Sequence, residues 1–252
     1  MHRTAPEIVV DTDLWDTHPK WWQDGFTDGA DPEYEEQILP LAGELLSGRD
    51  RILDVGAGEG QIARLAVSGG ASFVVGADPT RAQIDEAVAR GGGVQYCRAA
   101  AASLPFGTAS FDAVIACLVF EHIAEVDQAL AEVARVLVAG GRFLLFLNHP
   151  LLQAPGSGWI EDHTVDPADQ YWRIGPYLVE SNHVEEVQEG VFIPFVHRPL
   201  GRYLNAMIDA GLVLERMLEP PPPAGLRLSA GQARHGVAIP RLLVLMSRRG
   251  HR

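Results

Sequence analysis

A chain of 252 residues has room for one large domain, or one domain carrying an insertion. Its 33 Asp and Glu against 20 Lys and Arg leave a net charge of −13, which argues against a partner with a nucleic-acid backbone or an anionic membrane surface. No apolar run approaches the ~20 residues of a membrane helix, no basic-then-apolar leader opens the chain, and two cysteines, Cys97 and Cys117, make no disulfide framework; the expectation is a soluble, cytoplasmic protein.

Residues 1–32 are dense in aromatics (Trp15, Trp21, Trp22, Phe26) without a clean period. From Glu33 the 4, 3, 4 spacing of Tyr34, Ile38, Leu41 and Leu45 predicts a helix, ended by Ser47-Gly48. The chain then alternates. Arg51–Val55, Ser72–Ala77, Val94–Cys97, Phe111–Leu118 and Arg142–Leu147 read as strands. Helix stripes fall between them: Ile62, Leu65 and Ala66, then Ile84, Ala87 and Val88, then Ile123, Val126, Leu130, Val133 and Leu137. Gly140-Gly141 is read as the stop of the last of these helices. Strands apolar on both faces, alternating with helices, predict a parallel sheet covered on both sides. Residues 148–198 break the rhythm with five prolines and with Trp159, Tyr171, Trp172 and Tyr177, and are read as a lid insertion at the carboxyl edge of the sheet. A helix over Leu200, Tyr203, Leu204, Met207 and Ile208 and strands at Leu212–Leu218 and Arg241–Ser247 complete the chain. The expected division of the single domain is a helical cap (1–48), a core (49–147), the lid (148–198) and a completion of the sheet (199–252).

The segment Asp54-Val55-Gly56-Ala57-Gly58-Glu59-Gly60-Gln61 carries a strand through three glycines into a helix. Glycine permits the sharp turn and the close approach of a ligand. A dinucleotide fingerprint needs its third glycine at position 61, where Gln61 stands, so the spacing is wrong for a pyrophosphate. Asp78 ends the second strand 20 residues after Gly58, where a carboxylate can accept both hydroxyls of a ribose. Taken alone, the glycines make a tight turn and Asp78 a cap before Pro79.

Four segments together carry a resemblance: Leu53 to Gly60, then Val75-Gly76-Ala77-Asp78, then Leu104-Pro105-Phe106 with Ser110-Phe111-Asp112, and Ala134-Arg135-Val136-Leu137 with Gly140-Gly141-Arg142. In this order they resemble the class I S-adenosylmethionine-dependent methyltransferases, in particular those acting on small molecules with a compact Rossmann-like core. The resemblance implies a seven-stranded, mostly parallel sheet with helices on both faces and an antiparallel last strand. It implies S-adenosylmethionine as cofactor and places Asp54, Gly56, Ala57, Gly58 and Gly60 at its methionine part. Asp78 then meets the ribose, Ala101 and Ala102 flank the adenine, Cys117 lies near the methionine tail, and Pro79 and His122 lie beside the cofactor. The family usually has an adenine-reading acid where Ala100 stands, so the adenine is expected to be read by main chain.

Methyl transfer from a sulfonium needs alignment above all, and a base when the acceptor is a hydroxyl. His149, just after the fifth strand, and His197, before the late helix, are the expected bases. Trp22, Trp159, Tyr171, Trp172 and Tyr177 are expected to wall the acceptor. Glu161, Asp162 and His163 are adjacent, which is poor ligand geometry, and no His/Cys spacing resembles a zinc site, so no metal is expected. The leading expectation is methylation of a hydroxyl on a small aromatic or apolar molecule. The alternatives are a non-catalytic S-adenosylmethionine-binding protein and a nicotinamide-dependent oxidoreductase. The acidic charge weighs against a nucleic-acid substrate.

Overall fold

The computed structural model describes residues 13–164, 166, 168–226, 232, 236 and 238–250. The leader reading falls largely on residues 1–12, outside the described residues.

Two short helices, α1 (Asp13–Thr17) and α2 (Pro19–Phe26), lead into a longer helical stretch. That stretch runs as a π-turn over Tyr34–Ile38 and continues as α3 (Leu39–Leu46). Pro40 has no N–H to give the preceding turn, and the backbone answers with a wider turn in which Leu39 N–H donates to Tyr34 O. Gly48, at φ +72°, terminates it.

The core then alternates as β1 (Arg51–Val55), α4 (Gln61–Ser68), β2 (Phe73–Asp78), α5 (Arg81–Arg90), β3 (Gln95–Arg98), β4 (Phe111–Cys117), a 3-10 turn at Phe120–His122, α6 (Val126–Val136) and β5 (Leu137–Asn148). After a one-turn helix α7 (Pro150–Gln153), the insertion folds as two antiparallel hairpins. These are β6 (Gly158–Asp162) with β7 (Asp169–Arg173), and β8 (Ser181–Gln188) with β9 (Val191–His197). α8 (Leu200–Asp209), β10 (Leu212–Leu218) and β11 (Leu242–Arg249) end the fold.

The seven-stranded sheet has the order β10-β11-β5-β4-β1-β2-β3. β1 to β5 are mutually parallel, and β11 runs antiparallel to both β5 and β10. The strand order reverses between β1 and β4, and such a switch point opens a crevice at the carboxyl ends of the strands. One face of the sheet buries Leu53, Phe143 and Leu145 under α6 and α8; the other buries Ile52, Leu144 and Phe146 under α3 and α4.

Three readings of the sequence are corrected here. α6 stops at Val136, four residues before Gly140-Gly141. The glycines lie inside β5, where the register against β4 shifts between Phe111 and Ala113, and a Cβ on Gly141 would come within 2.9 Å of Val138 O. They serve a bulge, not a helix stop. Val88 and Ile208, assigned to buried stripes, are 61% and 65% exposed, because the sheet takes Ala87 from α5 and Tyr203, Ala206 and Met207 from α8.

Arg198 is buried and donates to three carbonyls of the loop before α6: Phe120 O at 3.2 Å, Ile123 O at 2.6 Å and Ala124 O at 2.8 Å. Buried acceptors left without a donor cost about 1–3 kcal/mol each. Arg198→Met is therefore expected to lower the unfolding free energy by about 3 kcal/mol, which urea denaturation would measure; a change within 0.5 kcal/mol, the ordinary scatter of surface substitutions, would contradict this role.

Candidate active site

A cavity of about 460 Å³ lies at the switch point. Its floor is the glycine turn. Gly56 N–H and Ala57 N–H both donate to Ala77 O, at 2.7 and 3.1 Å, so the turn is folded against the end of β2. Gly56 has φ +72°, and a Cβ there would lie 2.3 Å from Val119 Cγ2. Gly60 has φ +87°, and a Cβ would lie 2.1 Å from the Tyr96 hydroxyl. Both positions demand glycine by conformation and by space. Of the expected cofactor residues, Asp54, Gly56, Ala57, Gly58, Asp78, Pro79, Ala101, Ala102, Cys117 and His122 line this cavity. Gly60 does not; it packs beneath Tyr96 and caps α4.

Two carboxylates define the electrostatics. Asp78 accepts from Gly58 N–H at 2.9 Å through Oδ2 and from Thr80 N–H at 2.8 Å through Oδ1. Each oxygen keeps a lone pair for a ligand hydroxyl. Burial pushes its pKa up, and the two backbone donors act against that. Asp54 is 2% exposed, and its Oδ2 has no hydrogen-bond partner. Burial, with the nearby Asp78 charge, raises its pKa to about 7. Glu59, next in the turn, is held by Arg64 and Arg90 and serves as an anchor.

The roof comes from the N-terminal helices. Asp16 Oδ1 accepts from Ala82 N–H at 3.1 Å, and Gln23 Nε2 donates to Gln83 Oε1 at 3.0 Å, which seats α1 and α2 over the start of α5. Trp15 and Trp22 thereby close the cavity, and the Trp22 indole approaches Gly58. Ala100 lines the cavity with its neighbours and offers no side-chain acceptor. Tyr34 and Gln83 also line it. Tyr34 stood in the sequence as an apolar-stripe residue; its hydroxyl lies 3.8 Å from Cys117 Sγ. Nothing in the local pattern distinguishes Gln83 from a surface helix position.

His122 and the two expected bases differ in what their nitrogens do. His149 accepts from Leu151 N–H at Nδ1 and meets Glu219 at Nε2, 2.8 Å away, so both nitrogens are occupied. His197 Nε2 is held by Tyr177 O at 2.8 Å, and its buried Nδ1 has no partner. Neither ring lines the cavity. Trp159 and Trp172 pack on each other across the β6–β7 hairpin, with ring centres 5.6 Å apart. Tyr171 is 45% exposed, and the Tyr177 hydroxyl accepts from Leu200 N–H. None of these four lines the cavity or the smaller one beside it. Among the described residues no three His, Cys, Asp or Glu gather as a metal set, and no helix is long and apolar enough to cross a membrane.

Residues 53–145 match a family described as the methyltransferase domain. The chain is 39% identical over 127 residues to a demethylmenaquinone methyltransferase of Thermus thermophilus, covering 48% of this chain and 56% of that one. It is 31% identical over 153 residues to the O-methyltransferase rstn1 of Aspergillus nomiae, covering 58% of this chain and 68% of that one. A solved S-adenosylmethionine-dependent methyltransferase from Mesorhizobium loti superposes with a TM-score of 0.72 at 28% identity, over 88% of this chain and 99% of that one. The chain belongs to the class I S-adenosylmethionine-dependent methyltransferases, and S-adenosylmethionine is the cofactor of its fold. It spans 56%, 39% and 42% of the length of three curated relatives that it matches.

Proposed function

We propose that this protein transfers the methyl group of S-adenosylmethionine to a hydroxyl oxygen of a small aromatic or apolar molecule. The observation that carries the reading is the pair of carboxylates in one cavity. Asp54 presents a buried oxygen without a partner, suited to an ammonium, and Asp78 is fixed by two backbone donors at a distance along the chain suited to a ribose. Both fit the cofactor, as does the Gly56-Ala57-Gly58 turn that lines the same cavity. When bound, S-adenosylmethionine supplies a methyl group already activated on a sulfonium sulfur.

The residues of the chain then bind, orient and exclude water. Asp54 and Asp78 would fix the two ends of the nucleoside and its amino-acid tail, and Trp15 and Trp22 would shut the site from above. Alignment of this kind is worth ~7–11 kcal/mol of a bimolecular barrier. The names of the two curated relatives, one specifying demethylmenaquinone and one O-methylation, support a small organic acceptor.

Incubating the protein with S-adenosylmethionine and a panel of phenols and alcohols, read by mass spectrometry, tests the reading. The expected result is one acceptor heavier by a methylene, with an equal amount of S-adenosylhomocysteine. Tight cofactor binding with no product across the panel would favour a non-catalytic binding protein.

A further inference from the structure

A second cavity, of about 190 Å³, adjoins the first. The two share Trp15, Trp22, Tyr34, Leu118 and His122 as walls. A cavity of about 150 Å³ holds a benzene ring, so this one suits a single aromatic ring. Its walls are aromatic: Trp22 stacks on Phe26 with ring centres 4.7 Å apart, Trp21 stands edge-on to Phe26 at 5.0 Å, and Phe195 enters from β9. Asp31, Glu33, Asn148, Gln153, Arg241 and His122 interrupt them, and two of these, His122 and Glu33, each offer an acceptor.

The first is His122. Its Nδ1 lies 2.7 Å from Pro194 O. A carbonyl only accepts, so Nδ1 carries the proton and Nε2 keeps its lone pair. No described residue bonds to Nε2. The ring is fixed between Trp15 and Phe195, with ring centres at 4.9 and 4.7 Å. Burial holds its pKa down to about 4, so the imidazole starts neutral. The second is Glu33. Its Oε2 accepts from Arg241 Nε at 3.3 Å, and its Oε1 is buried without a partner. An unpaired buried acceptor is expensive, and a ligand donor would satisfy it. Arg241 lines the same cavity and already counters the Glu33 charge. Asp31 lines the cavity too and offsets that guanidinium for a cation, but the aromatic walls would strip a charged ligand of water, so a neutral donor is favoured.

We infer that the smaller cavity seats a one-ring phenol carrying a second hydroxyl group, with His122 Nε2 receiving the reacting proton and Glu33 Oε1 accepting from the second hydroxyl. This rests on the methyl-transfer reading above. In the step, the acceptor oxygen forms the new O–CH₃ bond as the S–CH₃ bond breaks. The bonding pair stays on sulfur, the hydroxyl proton passes to His122 Nε2, and the imidazolium later releases it to water.

The test titrates the full chain, saturated with S-adenosylhomocysteine, with phenol, benzylamine and the three benzenediols. At least one benzenediol is expected to bind roughly ten-fold tighter than phenol, the size of one hydrogen bond. Glu33→Leu should erase that preference, and Glu33→Gln should keep part of it. Gln153 lines only the smaller cavity, so Gln153→Trp should block every ring while leaving S-adenosylhomocysteine affinity unchanged. In single turnovers with the best benzenediol, His122→Gln should slow methylation by roughly 10²–10⁴, with a smaller loss for a nitrated phenol already ionised at the assay pH. Equal affinity for phenol and all three diols, tighter binding of benzylamine, or diol binding in Gln153→Trp equal to that of the unmodified chain would overturn the seat. A His122→Gln defect confined to cofactor affinity would overturn the proton-acceptor role. Failure of S-adenosylhomocysteine to bind at all would instead strike the methyl-transfer reading.

Discussion

Replacing Asp78 with alanine is expected to weaken S-adenosylhomocysteine binding by about 100-fold. The side chain stands at the end of β2 with one oxygen on Gly58 N–H and the other on Thr80 N–H. Two ribose hydroxyls bonded to a carboxylate contribute about 1.5–3 kcal/mol each, and about 3 kcal/mol in total corresponds to the stated factor. The substitution also frees the glycine turn and the start of α5 from their shared anchor, so the remaining affinity falls on a looser site. Asp78→Asn should lie between, because the amide oxygen still accepts but the amide nitrogen faces a backbone donor. Calorimetric titration of the two variants measures this, and an alanine variant within three-fold of the parent would contradict the ribose role.

Cofactor affinity is expected to rise with pH through neutrality, and Asp54 is the reason. Burial holds its folded pKa at about 7, against 3.8 for a solvent-exposed aspartate. Without ligand the carboxyl is protonated below that range. An ammonium placed at its unpartnered oxygen favours the carboxylate, so binding expels a proton wherever the free protein holds one. From linkage, the gain between pH 6 and pH 8 is roughly ten-fold. Asp54→Asn should bind more weakly and lose the Asp54-linked rise. The same group has the opposite effect on the stability of the ligand-free chain. Its raised folded pKa means that the stability present below the unfolded pKa is lost as pH rises through about 7. At pH 8, Asp54→Asn should therefore unfold at a higher temperature than the parent chain while binding the cofactor less well. That combination is the usual mark of a functional group held at a cost in stability. A variant that is both less stable and equally tight would contradict it.

The parts of the fold that were legible in the sequence are those whose physics is local. Arg51–Val55 and Phe111–Cys117 are largely apolar on both faces, as a strand covered on both sides requires. The glycine turn and Asp78 were legible because positive φ and a 20-residue spacing are properties of the chain itself. Ten of the eleven cofactor residues that the family resemblance implied line the cavity. What was not legible depends on partners far along the chain. His149 is engaged by Glu219, 70 residues away. His197 is engaged by Tyr177 from across the lid. Nothing local in the sequence marks which partner each ring takes. The lid tryptophans read as walls by composition, yet antiparallel pairing in the β6–β7 hairpin sets Trp159 opposite Trp172, and they cover each other. Glu33 carried no signal at all, since an unpartnered oxygen exists only once Arg241, 208 residues away, has taken the other.

The arrangement also explains why the N-terminal segment matters more to the site than its lack of periodicity suggests. Asp16 and Gln23 tie α1 and α2 to α5. Their tryptophans then form part of both cavities at once. Leu118, at φ +54°, turns into the same junction from the end of β4. A left-handed leucine costs about 1–2 kcal/mol, and it sits where the two cavities meet.

The most direct measurement is calorimetric titration of the intact chain with S-adenosylmethionine and, in parallel, with NADH. The carboxylate pair and the glycine spacing require saturable, one-to-one binding of S-adenosylmethionine and none of NADH. Binding of NADH with no response to S-adenosylmethionine would contradict the assignment of the cavity.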